Sequence, residues 1–501
     1  MTKALDTKLQ TWIRLIAATL CLVATVDEVA ANPTNYQPYV IGERSLGMAG
    51  AYAAAVNDSM ALYYNPGALG FSSTTAVSAS KSIYAADFRR ISNGFVPAFE
   101  EQYTLKDLDT TNDLTWPSTL TFTTGFRKHK KKGFSPRHTI GFAMFVPYQE
   151  HYSFRIKHRQ AGIADNQTYF LSESYRTLWT GGGYGFRPTR KWGFGLAAFF
   201  SNYRYQRRFD TNWYDVPDDL SVCGETGCGE MELVESILKL KVNSVVIRVG
   251  ALYRPTRRWR IGLSGTAPSI LLRPISEGRL DQTYGVSSTT DATDVSTRMY
   301  TDDYKLAVAG FQPGSVRLGV AFIIPRKFTI DLDGTFHFPM TYRQIEGDAV
   351  ADRLTTNPEA SPRWFDPGVV REIEHRPMAN FNLGTEFLFK YGWTVRTGLF
   401  SDFSSAPEVV AGDTPQLTRV HRVGGTFSIG HRGAGHDITL GVIGTYGAGE
   451  ASVYYPEAAR DPGEAAFQPA AYTDRAIYIF VAGAQQAVEG TARELWKKIV
   501  D

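Results

Sequence analysis

Short and long connectors alternate along most of this chain, between segments with the alternating polarity of β-strands. In 328–338 the even-numbered residues are apolar or Gly, and the odd-numbered residues are polar. Successive side chains of a strand point to opposite faces, so this segment has one apolar and one polar face. Residues 259–264 and 438–446 repeat the pattern. Such segments predict a sheet whose two sides meet different surroundings.

The connectors differ in chemistry as well as in length. The short ones are basic turns, at 187–192, 254–259, 324–328, 389–393 and 431–436. The long ones are polar loops, near 210–231, 276–312, 346–370, 404–416 and 454–473. Short turns at one end and long loops at the other are typical of outer-membrane barrels. We therefore predict an all-β transmembrane fold, a 14-stranded antiparallel outer-membrane β-barrel.

The predicted strands begin near residues 74, 117, 138, 168, 191, 233, 258, 314, 327, 373, 392, 418, 436 and 475. Twelve or sixteen strands are the alternatives to this count. Within 238–253 the apolar residues change parity near Ser244, which predicts a β-bulge there.

Four aromatic residues directly follow short turns: Trp192, Trp259, Phe328 and Trp393. Their common position predicts a girdle of interfacial aromatics at one membrane surface. Aromatics that merely pack a soluble sheet are the alternative, but that would not explain the repeated position.

Composition and motifs limit the function. The 501 residues carry a net charge of +3, which gives no case for nucleic-acid binding. Aromatics make up 13% and charged residues 21%, a mixture that suits strands with one lipid-facing and one lumen-facing side. The sequence contains no G-x-S-x-G, H-E-x-x-H or phosphate-loop motif and no group of clustered His residues. We expect no enzymatic activity, no cofactor and no metal.

The first 31 residues have the pattern of a secretory signal peptide. A basic start is followed by an apolar core at 15–26 and by small residues before a predicted cleavage near Ala31. The predicted organisation is a signal peptide at 1–31, a plug at 32–71, a transmembrane barrel at 72–486 and a periplasmic helical tail at 487–501.

Two cysteines remain after the predicted cleavage, Cys223 and Cys228, in a Gly-rich loop. In an exported chain such a close pair predicts a local disulfide. A metal site is the alternative.

The segment Gly42–Gly70 separates the leader from the strands and is rich in Gly and Ala. It ends in Asn65-Pro66-Gly67, a turn sequence. Fourteen strands enclose more space than the eight whose inner side chains can fill a barrel, so other material must occupy the lumen. We predict that this segment is the plug.

Charged residues on the predicted inner faces include Arg248, Arg260, Asp331, Asp333 and Arg396. They form either a polar network that holds the plug or a site for a ligand. An arginine among them could bind a carboxylate head group, but the sequence does not select one.

Several motifs occur in a fixed order along the chain. Gly42, the cluster at 47–51, Asp58 and Asn65-Pro66 come first, and Gly141, Pro147 and Tyr148 follow in the third strand. The hairpins at 249–264 and 313–332 come later. With the leader and the strand count, most of the mature chain resembles the outer-membrane transporters of long-chain fatty acids and aromatic hydrocarbons, the FadL, OmpP1 and TodX group. Gly67 departs from the Ala usual in that family.

The resemblance implies a hatch whose motif is Gly47, Gly50, Asp58, Asn65, Pro66 and Gly67. It also implies a lateral opening at Gly141, Pro147 and Tyr148. Because proline cannot donate to a β-ladder, we expect disrupted pairing near Pro147. A strand that simply ends before Pro147 is the alternative.

The function implied is passive uptake of hydrophobic compounds, long-chain fatty acids or aromatic hydrocarbons, with hatch gating and lateral release. The alternative is a barrel that does not transport but serves as a secretion-system or assembly partner. A soluble β-sandwich array is a third possibility. We expect a monomer in the outer membrane of a Gram-negative bacterium. Its expected partners are outer-membrane lipid, a hydrophobic small-molecule ligand and the barrel assembly machinery.

Overall fold

The computed structural model describes residues 34–37, 40–72, 75–95, 106–112, 119–127, 137–159, 166–215, 229–291, 294–346, 372–433, 435–454, 465 and 467–486. The predicted signal peptide, the pair Cys223 and Cys228, and the predicted tail at 487–501 lie outside these residues.

Fourteen antiparallel strands form one closed barrel, as predicted. Each strand pairs with its neighbours in chain order, and the last strand pairs with the first from Ala76–Gln486 to Ile91–Tyr472. The strands are β1 (Ala76–Phe95), β2 (Lys106–Asn112 and Thr119–Arg127), β3 (Arg137–Arg159), β4 (Asn166–Arg187), β5 (Trp192–Asp215), β6 (Gly229–Tyr253), β7 (Trp259–Thr266, Ile270–Leu271 and Glu277–Asp291), β8 (Asp294–Val308 and Ser315–Ile324), β9 (Phe328–His337, Met340–Arg343 and Ile345–Glu346), β10 (Glu372–His375 and Met378–Leu388), β11 (Trp393–Asp402), β12 (Arg419–Arg432), β13 (His436–Tyr454) and β14 (Phe467–Gln486).

Inner and outer faces follow the predicted alternation. In β9, Leu332 and Phe336 are exposed on the outside, whereas Asp331, Asp333 and Thr335 are buried inside. Near the short turns the outward residues of most strands are apolar, so this end of the barrel carries the lipid-facing band.

The predicted long loop at 276–312 is wrong. Glu277–Asp291 and Asp294–Val308 pair with each other as a hairpin that continues β7 and β8. Its outward residues are polar, such as Glu277 and Arg279, because this part of the wall lies beyond the apolar band. Because these strands have no apolar outer face, their sequence lacks the alternating polarity that predicts a strand. The loop predicted at 454–473 is likewise too long, since β14 begins at Phe467.

The bulge predicted near Ser244 is also wrong for β6. The β5–β6 register is continuous through Ser244. What changes is the outside of β6, from Lys239 and Lys241 to Ile247 and Val249, as the strand passes from water into the apolar band. The irregularity lies in the neighbouring β7, which is interrupted between Thr266 and Glu277.

The plug, which we define as the described residues 34–37 and 40–72, is packed inside the barrel. It contains two one-turn helices, α1 (Arg44–Gly47) and α2 (Ala61–Tyr64), and a 3₁₀ helix at Pro66–Phe71. Its apolar side chains form a common core with inward residues of the wall, such as Phe145, Trp179 and Phe199. A second core joins Val40, Leu46 and Ala49 to β11, β13 and β14. No helix in the described ranges is both long and apolar enough to cross a membrane.

Candidate functional site

A buried ion network fastens the beginning of the plug to the wall. Arg44 Nη2 lies 2.7 Å from Glu386 Oε1, and Arg44 Nε lies 3.0 Å from Glu386 Oε2. Arg396 and Arg432 bind the same carboxylate at 2.7 and 2.9 Å. Arg396 and Arg432 also bind Asp437, at 3.1 and 2.7 Å. Opposite charges and multiple hydrogen bonds offset the desolvation of these ions, so the network fixes α1 at one position.

Two carboxylates of β9 hold the middle of the plug through its backbone. Asp333 Oδ2 accepts hydrogen bonds from the N–H groups of Tyr52 and Ala53, both at 2.9 Å. Asp331 Oδ2 accepts from Ala54 and Ala55, at 3.3 and 2.7 Å. Four successive backbone amides of the plug therefore donate to acceptors on one strand. Because these bonds use no side chain of the plug, they hold a run of Ala residues in a defined position.

Asn65 and Gly67 dock the end of the plug on β6 and β5. Asn65 Oδ1 accepts from Gly67 N at 3.0 Å, and Nδ2 donates to the carbonyls of Ala53 and Ala251 at 2.9 and 3.1 Å. A Cβ on Gly67 would lie 2.6 Å from Ala251 Cα. The departure from the family's Ala therefore has a local cause, because the wall approaches too closely for a methyl group.

The other residues of the predicted hatch motif lie at contacts too. A Cβ on Gly47 would lie 2.2 Å from Ser428 Oγ, and Gly50 has a positive φ of 75°. Asp58 accepts from Tyr52 Oη at 2.5 Å and from Met60 N at 3.0 Å, so it stabilises the turn before α2. Pro66 begins the 3₁₀ helix. The role of these residues in gating stays a prediction.

The first described residues form a strap against β9, β10 and β11. The N–H groups of Tyr36 and Gln37 donate to Asp402 Oδ1 at 3.0 and 2.8 Å. The ring of Tyr36 stacks on His337 with centroids 4.1 Å apart, and its hydroxyl lies 2.8 Å from His375 Nδ1.

A cavity of about 40 Å³ lies between the strap, α2 and the wall. Two wall arginines, Arg248 and Arg317, border it together with Tyr63, Trp179 and His337. A cavity of this size holds a few waters, whereas one of about 150 Å³ is needed for a benzene ring. In this structure the plug and the wall therefore close around the cavity and leave no room in it for a benzene-sized ligand.

The two arginines of the cavity are only partly satisfied: Arg317 interacts electrostatically with Asp333 and donates from Nε to Thr335 Oγ1 at 2.8 Å. Both are more than nine-tenths buried, and neither forms an ion pair with any residue that the structure describes. Arg248 Nε and Arg317 Nη1 have no hydrogen-bond partner there. Their guanidinium carbons lie over aromatic rings instead, 4.7 Å from the Tyr63 centroid and 5.3 Å from the Tyr64 centroid. A buried donor without an acceptor is costly, and the free donors suit a carboxylate.

Above this cavity the inner wall is apolar. We call the following group the upper apolar cluster: Tyr175, Tyr205, Leu238, Leu240, Val242, Leu280, Leu306, Val308 and Ile345. Val242 and Arg248 lie on the same inner face of β6, and Tyr175 and Trp179 share the inner face of β4. At about 3.3 Å per residue, the cluster begins roughly 13–20 Å along the strands from the cavity residues. A buried apolar cluster and a cationic cavity therefore follow each other along the inside of the barrel.

Pairing of β3 is interrupted at Pro147. The β3–β4 register shifts between Phe145 and Tyr148, while the strand continues to Arg159, so the strand does not end before Pro147. On its other side β3 pairs with β2 only as far as Phe145 within the described ranges. Gly141 faces Leu62 of the plug, since a Cβ there would lie 2.9 Å from Leu62 Cδ1. Tyr148 packs against the upper apolar cluster.

The predicted aromatic girdle lies on the outer surface. Trp192, Trp259 and Trp393 are exposed and Phe328 is half-buried, each at the first residue of its strand. In the part of the chain that the structure describes, no three His, Cys, Asp or Glu side chains converge on a possible metal site.

Comparisons with known proteins bear on the fold. No protein-family model matches the sequence, and no curated protein matches it. Among solved structures, a FadL homologue from Pseudomonas aeruginosa aligns with 12% identity over 90% of this chain and 99% of its own, with a TM-score of 0.57. The deltaS2S3 mutant of the monoaromatic hydrocarbon channel TodX aligns with 12% identity over 89% and 99%, with a TM-score of 0.52. The chain has the FadL fold. The fold inferred from sequence, a plugged 14-stranded outer-membrane barrel, is thereby confirmed.

Several residues of this FadL-type barrel were not identified from sequence as parts of the site. Glu386 shares the polar, inward parity of Asn380 and Asn382 in β10, and Arg317 lies in a hairpin where its alternation is visible. This inward parity is the available signal for both residues. Arg44 is 342 positions from Glu386, so no local spacing links the two.

Proposed function

We propose that this protein is an outer-membrane channel for the passive uptake of hydrophobic compounds, and that its ligands carry an acidic head group. The observation that carries the proposal is the order of surfaces inside the barrel. The upper apolar cluster comes first, and the cavity with Arg248 and Arg317 comes next. An apolar chain gains about 0.8 kcal/mol for each CH₂ that it buries, so this cluster would hold alkyl chains once its packed side chains move apart to admit them.

The free arginine donors favour fatty acids over neutral aromatic hydrocarbons. A carboxylate would accept from the free donors Arg248 Nε and Arg317 Nη1, through charge-assisted hydrogen bonds worth about 1.5–3 kcal/mol each. A hydrocarbon would leave these two donors without an acceptor. The related structures include hydrocarbon channels, and for this chain the cavity supports a carboxylated amphiphile instead.

Release would occur through the wall beside Pro147. The β3–β4 ladder is interrupted between Phe145 and Tyr148, and the described part of the β2–β3 ladder reaches only Phe145, which supports an opening of the wall at the level of Pro147 and Tyr148. The plug closes the direct route towards the short turns. A ligand would therefore leave sideways into lipid after a shift of α2, whose Leu62 faces Gly141.

The barrel as a secretion-system or assembly partner is the second candidate. The blocked lower lumen is compatible with it, but it gives no reason for an apolar inner face at the long-loop end. The structure supplies no observation that favours it.

Uptake assays test the proposal. Cells that lack their own transporter and express this chain should accumulate labelled oleate. The variant Arg248→Met/Arg317→Met should raise the half-saturating oleate concentration by about tenfold or more. Uptake of labelled toluene should be unchanged. The exposed variant Arg279→Gln serves as the control.

Two further variants test the route. Pro147→Val should restore β3–β4 pairing and reduce oleate uptake, and deletion of 42–67 should abolish the discrimination between permeants. Unchanged oleate uptake in both would contradict hatch gating and lateral release. Unchanged uptake in the double arginine variant would contradict the head-group site alone.

A further inference from the structure

Four of the short turns carry exposed positive charge and contain no acidic residue. The turns between β4 and β5, β6 and β7, and β8 and β9 each expose two adjacent cations, and the turn between β10 and β11 exposes one. We call these residues the basic rim: Arg190, Lys191, Arg257, Arg258, Arg326, Lys327 and Lys390. The turns at 188–191, 254–258, 325–327 and 389–392 contain no Asp or Glu. No residue of the basic rim has an ion-pair partner within the described ranges.

The rim is a built structure and not a set of loose side chains. Thr189 Oγ1 accepts hydrogen bonds from Lys191 N and Trp192 N, at 3.3 and 3.0 Å. Thr256 Oγ1 makes the equivalent bonds to Arg258 N and Trp259 N, at 3.2 and 3.0 Å. The same turn is thus made twice, and each time it holds two cations on the outside.

Backbone hydrogen bonds join neighbouring turns along the barrel end. Arg254 N donates to Lys191 O, and Ile323 N donates to Arg258 O, both at 2.8 Å. Leu388 N donates to Lys327 O at 2.8 Å. The four turns therefore lie side by side on one arc, and their positive charges add.

The aromatic girdle places this arc at a membrane surface. Trp192, Trp259 and Trp393 directly follow three of the turns and are 41%, 47% and 54% exposed. Tryptophan at such positions lies at the level of lipid head groups. The cations directly precede these tryptophans in the turns and therefore lie further from the apolar band. This position places them at the depth of the lipid phosphates.

The opposite end of the wall has a different charge pattern. There Lys241 pairs with Glu277 at 2.9 Å, and Arg208 pairs with Glu235 at 3.0 Å. Among the described residues these exposed cations thus have acidic partners, whereas those of the four basic turns do not.

From this arrangement we propose that the basic rim binds the phosphate groups of anionic phospholipids in the leaflet at the short-turn end. Neutralisation by lipid phosphate accounts for exposed cations without protein partners next to a membrane. Polybasic segments near a bilayer attract anionic lipid in this way, and the attraction weakens with salt. The inference does not depend on what passes through the lumen.

Lipid enrichment in nanodiscs tests this inference. The full-length protein is reconstituted with phosphatidylethanolamine and phosphatidylglycerol, and the lipids retained after brief detergent extraction are counted by mass spectrometry. The wild type should retain phosphatidylglycerol several-fold above its bulk fraction, and this excess should fall as NaCl rises from 50 to 500 mM.

Two variants that each remove four cations distinguish the effect of the basic rim from the effect of the total net charge. Arg190→Gln/Lys191→Gln/Arg257→Gln/Arg258→Gln should lose the enrichment. Arg204→Gln/Arg208→Gln/Lys239→Gln/Arg279→Gln removes four cations near the opposite end and should keep it. Heat-modified mobility in gels shows whether each variant barrel is folded. If a quadruple variant does not fold, the two double variants that together make up its four substitutions are measured instead.

Three outcomes would overturn the inference. They are a wild type without phosphatidylglycerol excess, an equal loss in both variants, and enrichment that survives removal of the rim. The first of these would favour an acidic periplasmic protein as the partner of the rim.

Discussion

Arg44 of the plug and Glu386 of β10 face each other through two hydrogen bonds, with N–O distances of 2.7 and 3.0 Å, inside the barrel. The residues are 342 positions apart in sequence. Glu386 binds Arg396 and Arg432 as well, so one carboxylate connects the plug to two further strands. The plug is thereby attached to the wall by charge at the level where its small residues permit close approach.

Removal of Arg44 should loosen the plug. Arg44→Met leaves Glu386 with two guanidinium groups, and loss of one partner of a buried pair costs about 3–5 kcal/mol. We expect larger and more frequent current steps in planar bilayers than for the wild type. Arg376→Gln, which breaks the exposed pair between Arg376 and Glu374, should leave the current unchanged. Equal traces for Arg44→Met and the wild type would contradict anchoring by this pair.

Removal of the β9 carboxylates should expose the amides of the plug. In Asp331→Ala/Asp333→Ala, the N–H groups of 52–55 lose their acceptors, each hydrogen bond to a charged group being worth about 1.5–3 kcal/mol. Amide exchange of the peptide that covers 52–55 should become about tenfold faster or more, since 1.4 kcal/mol corresponds to a factor of ten. Hydrogen-exchange mass spectrometry measures this, with the exposed Asp413→Ala as control. If protection stays at the wild-type level, these carboxylates do not hold the plug.

Glu43 should make plug stability depend on pH. Its side chain is buried, and burial followed by the negative charge of Asp437 raises its pKa well above the usual value. An acid whose folded-state pKa is raised binds its proton more tightly in the native state. Stability is therefore greatest below the unfolded pKa and falls as the pH rises towards the raised value.

A matched substitution isolates this effect. In the wild type, exchange protection of α1 should decrease between pH 5 and pH 8 after correction for intrinsic exchange. In Glu43→Gln, which keeps the shape and removes the titration, the decrease should be smaller. Asp58, whose pKa burial also raises, accounts for a remaining slope. An identical slope in both proteins would exclude Glu43 as its source.

The barrel could be predicted from sequence because its rules are local. Leu332 outside and Asp331 inside follow from period two, and Trp192 and Trp259 each mark a turn. The hairpin at 277–308 was missed since its outer face meets water, which removes the apolar half of the pattern. The contacts of Arg44 with Glu386 and of Gly67 with Ala251 depend on how the closed barrel brings distant positions together, and no spacing in the sequence encodes them.

Gly67 should resist replacement by the alanine that the resembled family prefers. A Cβ at this position would lie 2.6 Å from Ala251 Cα and 2.7 Å from Gly250 C, both of them backbone atoms that cannot rotate away. Inserted methyl groups in well-packed sites typically destabilise by about 1–3 kcal/mol. Gly67→Ala should therefore lower the temperature at which the folded band disappears in heat-modified gels.

Gly265→Ala is the matched control for Gly67→Ala. The atoms nearest to its added Cβ, Ser315 O and Val249 Cγ2, would both lie 3.7 Å away, so the same chemical change adds no overlap. We expect its transition to coincide with that of the wild type. A Gly67→Ala transition equal to that of Gly265→Ala would show that the docking of the 3₁₀ helix on β6 tolerates a methyl group. Gly67 would then be a neutral departure from the family pattern, and not a consequence of how closely this wall approaches its plug.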